Sequence, residues 1–592
     1  MKTHRLRTEI RPSVMRLENR TLPLAVILCC VLLSVVWVQA QGRGGGEWTT
    51  VGSDAQRTAW VRTDARLTKD AVTKGEFQFL WKHRFDNEAR QLNSLTQPVL
   101  LDRLIGFRGF KALGFVGGSA DRIFAIDTDL ARPYWTTHLN YTATTGGPPP
   151  SSWACPGGLV ATPTRRTVLT PSAFAGGGGG GRGGRSGSAV GEPGRGAAVL
   201  AQMAAAQGRG RATAAPPQEP QAGRGNAATA AIPFGGVDPV YAVGSDGYLH
   251  TLLSSNGADS EAPTAFLPPS SKPSALIFVD GVVYASTSDN CGAAPNAVWA
   301  LDLTVEGPGR KVTSWKTGGA SIAGTSGPAL GTDGTLYVAL GAAPSEGKSD
   351  SAGKNPAEAY ANAVVALDRK TLTVKDWFTA EGADFNASPI VVRYKDKDLL
   401  AATGNDGRLY LIDGTSLGGS DHKTPLSVSP KFSKAGAGTA LATWEADGTR
   451  WILATAAGGP PAALKLASNG PVVSGGVVAF KLSDQGGNVA LEPGWASRDM
   501  TSPLAPIVVN GMVFAAASGE FRSTAPLSAA ERAQRSTPAV LYALDGVTGK
   551  TMWSSGRTIT SFARSGLSSG AGQVYLVTYD NTLYAFGIPM EH

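Results

Sequence analysis

Cysteine and histidine hold most of the reactive chemistry open to this chain, and their spacing assigns little of it. Cys29 and Cys30 are adjacent but lie in an N-terminal apolar stretch, while Cys155 and Cys291 stand far apart. A zinc site would need further Cys or His at short spacing, so Cys155 and Cys291 read as a disulfide, with two unpaired buried thiols as the alternative. His83, His138, His250, His422 and His592 are isolated, and no spacing links any of them to a nucleophile. The catalytic residues are therefore unassigned, and no C-x-x-C-H haem-attachment motif occurs.

The elements that would position any site are clearer. VLYALDGVTGKTMW (540–553) alternates apolar residues with period two, stops at a polar cluster and resumes at Trp553. Asp545 can bond its own turn backbone, and Gly546 and Gly549 supply the freedom of a reversal. The phrase recurs at 124–135, 299–315 and 365–377, with weaker copies at 409–413, 478–482 and 583–587. Repetition at intervals of a few dozen residues signals a structural repeat. Eight strand pairs can be counted: 115–117 with 123–127, 240–243 with 248–252, 282–286 with 298–302, 336–340 with 364–368, 399–403 with 408–413, 451–456 with 477–482, 512–517 with 540–545, and 574–578 with 583–586. Two strands alone bury neither face, whereas four-stranded sheets set around an axis bury both. The expected fold is an all-β, eight-bladed β-propeller over 48–588, with seven blades plus an irregular sheet as the alternative.

Residues 1–40 place six Lys/Arg ahead of an apolar run at 22–38 that ends in Val38-Gln39-Ala40. This is the pattern of a secretory signal peptide, an uncleaved anchor being the alternative. A flexible lead follows at 41–47. Residues 173–232, rich in Gly, Ala and Arg, have too few apolar side chains to offset ordering entropy and are expected to be a disordered insertion in blade 2. SAAERAQR (528–535) has capping-box spacing and reads as a short helical insertion with no functional role. The net charge of +8 comes from the first forty residues and from 176–232, each carrying six Lys/Arg against two Glu. The body is near neutral, which argues against nucleic acid as a partner.

The A-x-D-x-x-T-G-K-x-x-W phrase ending at Trp553 resembles the tryptophan-docking motif of propellers built from pyrroloquinoline-quinone (PQQ) repeats. Trp48, Gly52, Asp54 and Asp64 are similar to the opening of the quinoprotein alcohol dehydrogenases. The resemblance implies that Trp81, Trp135, Trp315, Trp377, Trp495 and Trp553 are structural, docking each blade on a neighbour. It also implies, for the enzymes of the family, PQQ on the axis, a calcium ion held by Glu, Asn and Asp, and often an adjacent cysteine pair beside the quinone. Here the only adjacent pair lies in the segment expected to be cleaved. Asp289, Asn290, Asp384, Asn386, Asn405 and Asp406 lie in turns as candidate calcium ligands, although turns hold Asp and Asn for their own reasons.

These readings lead to an expected exported monomer, periplasmic or extracellular, with no membrane span after signal cleavage. It would be non-catalytic, with no cofactor or metal, and would bind an unknown protein or carbohydrate on its axial face. A PQQ- and calcium-dependent alcohol or sugar dehydrogenase is the alternative, and an outer-membrane protein assembly scaffold a second. A cluster of Asp, Glu or Asn beside an Arg in the axial funnel, over a planar Trp, would favour PQQ; an open or apolar funnel would favour binding.

Overall fold

A computed structural model describes residues 47–106, 109–139, 152, 154–169, 239–343, 360–523 and 527–589. The signal at 1–40, all but the last residue of the lead at 41–47, and the insertion at 173–232 lie outside the described residues. The described residues form an eight-bladed β-propeller.

All eight strand pairs expected from alternation are present, and in seven blades they form the middle of the sheet; in blade 2 Val240–Val243 is the edge strand of a three-stranded sheet. In blade 4, Leu336–Leu340 and Ala363–Leu367 are buried at every position, because blades pack on both of their faces. The outer strands touch solvent along one side, so Val312–Lys316 of blade 3 alternates exposed and half-buried positions.

Where the repeated phrase ends in tryptophan, the tryptophan strand is the outer strand of the same blade as the alternating strand before it. Trp135 pairs with Ala125, Trp315 with Val298, Trp377 with Val365 and Trp553 with Ala543. Blade 8 has Ser568–Gly570, Gln573–Val577 and Thr582–Gly587, and takes its outer strand, Gln78–Arg84, from the beginning of the chain. Trp81 then faces Ala585 across that pair, and the ring closes through hydrogen bonds between the two ends of the sequence. Blades 2 and 5 have two-residue outer strands, Thr264–Ala265 and Ser427–Val428, that contain no tryptophan.

Residues 48–64 occupy the axis and visit the inner edges of the blades in chain order. Trp48 O accepts from Leu100 N of blade 1 at 2.8 Å, Thr49 O from Arg165 N at 2.8 Å, and Thr50 Oγ1 donates to Leu276 O beside blade 3 at 2.7 Å. Ala55 O then accepts from Leu330 N of blade 4 at 2.8 Å, and Gln56 O from Val391 N of blade 5 at 2.9 Å. Thr58 O accepts from Thr443 N of blade 6 at 2.9 Å, Ala59 O from Val508 N of blade 7 at 2.8 Å, and Asp64 Oδ2 from Gly572 N of blade 8 at 3.0 Å. So tight a path requires left-handed backbone at Gly52, Ser53, Arg57 and Ala59, with φ of 74°, 68°, 61° and 54°. At Gly52 a Cβ would meet Arg57 Cα at 3.0 Å, so glycine is needed there for space as well as for φ.

Candidate functional site

The loops that lead into the inner strands form a funnel of about 950 Å³ on one end of the axis. Val51 of the axial segment reaches into it, and a second, small cavity beneath is lined by Trp48, Gly52 and Arg57. The axial segment therefore stops the funnel at its inner end. Arg57 is the buried tie of that stopper. Its Nε donates to Pro328 O at 3.1 Å and its Nη1 to Thr50 Oγ1 at 2.6 Å and Val51 O at 2.7 Å. Burial pushes the Arg57 guanidinium down to about 9, opposed by the charge of Asp54. Asp54 is in turn pushed above the usual carboxylate range by burial, although it accepts from Thr58 N at 2.9 Å and Thr58 Oγ1 at 2.5 Å.

The charged part of the funnel wall comes from blades 7 and 8. Glu520, 1% exposed, accepts from Arg522 Nε at 3.1 Å and pairs with Arg564 Nε at 3.0 Å through its other oxygen. Ser518 Oγ accepts from Glu520 N at 3.1 Å, and Ser502 Oγ donates to Glu520 O at 3.0 Å, which fixes the backbone on which the carboxylate stands. Arg532 is buried and donates from Nη2 to Ser523 O at 3.0 Å. Burial lowers Arg564 below its ordinary value and the charges of Arg522 and Arg532 add to this, while Glu520 opposes it. The side chain of Arg522 is 48% exposed and is the most open of the pair joined by Glu520.

The helix Ala529–Arg535 brings Arg532 into this wall. Ser528 Oγ accepts from Glu531 N, and Glu531 Oε2 accepts from Ser528 N at 2.8 Å, so the capping box forms. The sequence reading gave this insertion no functional role; the structure places Arg532 on the funnel wall, where Lys272 also lies. The acidic group expected of a PQQ site is reduced here to one carboxylate among the described residues, and the wall mixes cationic side chains with apolar ones such as Leu95, Leu159 and Leu504. No tryptophan lines it, and Phe521 is its one aromatic side chain among the described residues.

The residues singled out from sequence lie elsewhere. Trp135 Nε1 donates to Ser254 O of blade 2 at 2.9 Å, and Trp495 Nε1 to Gly546 O of blade 7 at 2.9 Å. Gly549 lies under Trp495, where a Cβ would meet the indole at 2.3 Å. Trp377 stacks on His422 with centroids 3.8 Å apart, Trp315 and Trp377 both meet Tyr360, Trp553 packs on Phe77 and Phe586, and Trp81 on Tyr575. Cys155 and Cys291 form a disulfide with Cα atoms 5.4 Å apart, beside the funnel residue Pro156.

Asp289 pairs with Lys272 at 2.5 Å, and the neighbouring Asn290 N donates to Asn296 Oδ1. Asp384 accepts from Ala342 N and Asn405 Nδ2, Asn386 Nδ2 donates to Asn405 Oδ1 and Ala437 O, and Asp406 accepts from Tyr410 Oη. None of these six turn residues lines the funnel, and among the described residues no group of three His, Cys, Asp or Glu is placed to hold a metal. His250 is buried against Asp259, His83 packs on Phe85, His138 ends the outer strand of blade 1, and His592 lies outside the described residues.

Among solved structures, the chain is similar to the quinohemoprotein alcohol dehydrogenase of Comamonas testosteroni, at 12% identity and a TM-score of 0.51, over 92% of this chain and 81% of that one. A europium-containing methanol dehydrogenase gives 10% identity and a TM-score of 0.48 over 94% and 100% of the two chains. BamB of Moraxella catarrhalis gives 12% and 0.43 over 87% and 99%. No family model and no curated protein matches the chain. What the first of these likenesses shows is the fold alone: an eight-bladed β-propeller.

Proposed function

We propose that this propeller of quinoprotein type is a non-catalytic binding protein, exported to the periplasm or beyond the cell, that takes its partner at the axial funnel. The observation that supports the reading is the donor set of the funnel wall. Calcium takes six or more oxygens, several of them from carboxylates. The described wall offers a single carboxylate, Glu520, and both of its oxygens already face arginines. The residues present therefore do not fit the calcium–PQQ pair that the fold brings to mind. They do fit a ligand recognised by hydrogen bonding and positive charge, since Asn93, Thr325, Ser326 and Thr501 also line the funnel and retain some exposure. No described helix is long and apolar enough to cross a bilayer.

The test is calorimetric titration of the purified mature protein with PQQ, with and without calcium, alongside dye reduction with alcohols and aldoses. The expected result is neither binding nor turnover. PQQ affinity at micromolar or better, or turnover in the ordinary enzyme range of about 1–10³ per second, would replace this reading with the dehydrogenase.

A further inference from the structure

The small cavity beneath the funnel has a volume of about 30 Å³, room for one or two water-sized atoms. Much of its lining is aliphatic, from Val51, Ala59, Ile390, Leu441, Ile507 and Leu567. Two buried N–H donors belong to the same lining. Trp48 is 1% exposed and Arg57 2%, and among the described residues neither Trp48 Nε1 nor Arg57 Nη2 has a hydrogen-bond acceptor. The Nη2 group lies 3.4 Å from the place that a Cβ on Gly327 would take, next to Ser326, which also lines the cavity. Buried donors left unpaired cost free energy, so two of them at one cavity call for an acceptor inside it.

The charge of Arg57 selects that acceptor. Its own bonds run to Pro328 O, Thr50 Oγ1 and Val51 O, which satisfy donors but carry no charge. Asp54 acts on it through space, since the two carboxylate oxygens accept from Thr58 N and Thr58 Oγ1, and burial raises the Asp54 carboxyl and so weakens that counter-charge. A water molecule would bring two hydrogens of its own, which aliphatic side chains cannot accept. An anion only accepts, and it meets the N–H groups and the guanidinium charge together. Val51, Gln97, Ser326, Ala440 and Ala505 line the cavity and the funnel alike, so a small ion reaches the cavity from the funnel, past Val51.

We infer that the axial segment holds one halide ion, chloride in ordinary media, in the cavity under the funnel, with Arg57 Nη2 and Trp48 Nε1 as its donors. The ion fastens the stopper to the inner strands of blades 5, 6 and 7, whose Ile390, Leu441 and Ile507 form the opposite part of the lining. The inference is independent of what the funnel itself takes up.

The test is thermal melting of the mature protein at constant ionic strength while sodium gluconate, too large for the cavity, is exchanged for sodium chloride or bromide. Both halides are expected to raise the melting temperature by about 1–3 °C and to saturate, as binding to the folded state alone implies. Trp48→Phe keeps a ring and loses the N–H, and should need about tenfold more chloride for the same rise. Wild-type crystals soaked in bromide give a second readout that does not depend on the variant folding: an anomalous peak between Trp48 and Arg57 is expected. A rise that stays linear in halide concentration is a general salt effect and overturns the inference. So does the lack of a bromide peak, which would leave the cavity to water, and so does a chloride response in a folded Trp48→Phe equal to that of the wild type.

Discussion

Replacing Arg57 by methionine measures how firmly the axial segment ties the blades. Methionine fills most of the arginine stem but has no donor. Pro328 O and Val51 O lose their bonds from the guanidinium, and each orphaned buried acceptor costs about 1–3 kcal/mol. Asp54, buried and electrostatically coupled to Arg57, loses its compensating cation, and breaking a buried pair from one side costs about 3–5 kcal/mol. The two routes describe overlapping effects, so the expected loss is about 3–5 kcal/mol rather than their sum. The assay is urea denaturation at pH 7 followed by tryptophan fluorescence, read at the first transition because a chain of this size is not expected to unfold in one step. Asp54→Asn added to Arg57→Met removes the stranded charge and should restore about 1 kcal/mol or more. A loss below about 1 kcal/mol in Arg57→Met, or no recovery in the double variant, would refute the reasoning.

The effect of Asp54→Asn on stability should become more favourable as pH rises from about 4 toward neutrality, on top of a pH-independent cost of leaving Arg57 without its counter-charge. The folded pKa of Asp54 lies above its unfolded value, so its stabilising contribution is complete at low pH and is lost as pH rises through the folded pKa. Melting curves at pH 4 and pH 7 check this, and an equal shift at both would contradict it. Gly549→Ala combines a φ of 71° with a Cβ placed 2.3 Å from the Trp495 indole, and should cost about 2–4 kcal/mol. An unchanged denaturation midpoint would mean that the glycine is not required under the indole. Replacing Cys155 and Cys291 by alanine opens a loop closed over 136 residues and should cost up to about 5 kcal/mol in the chain-entropy model. A wild-type melting temperature indifferent to reductant would count against that figure.

The middle strands were legible in the sequence because burial on both faces leaves a continuous apolar run that ends at a turn signal, as at 336–340 and 540–545. The ownership of the tryptophan strands was not, because a strand with an apolar residue at every second place pairs equally well in either direction along the chain. The pairings of Trp135 with Ala125, Trp315 with Val298, Trp377 with Val365 and Trp553 with Ala543 settle it, and that of Trp81 with Ala585 shows where the first tryptophan strand goes. The short outer strands of blades 2 and 5 have no tryptophan and left no signal. Trp48, Gly52, Asp54 and Asp64 stood out by type, but their circuit of the axis depends on hydrogen bonds to blades hundreds of residues away. The arginine cluster was hidden for a related reason. Glu520, Arg522, Arg532 and Arg564 occupy loops and a short helix whose local signals concern turns and caps, and no spacing connects them. The one available hint was the charged stretch Glu520-Phe521-Arg522 placed directly after an apolar strand, where most blades have a Gly-rich turn.

The ring is completed by residues made first and partners made last. Gln78–Arg84 finds its neighbour only in Thr582–Gly587, and Asp64 reaches Gly572 across 508 residues of sequence. A chain emerging from its N-terminus presents these segments long before the blade they complete exists. Pairings of such sequence separation form slowly, and they cannot form at all on a partial chain. The ring therefore stays an open arc until blade 8 is made, with Gln78–Arg84 and Asp64 still without these partners, and closes when blade 8 arrives.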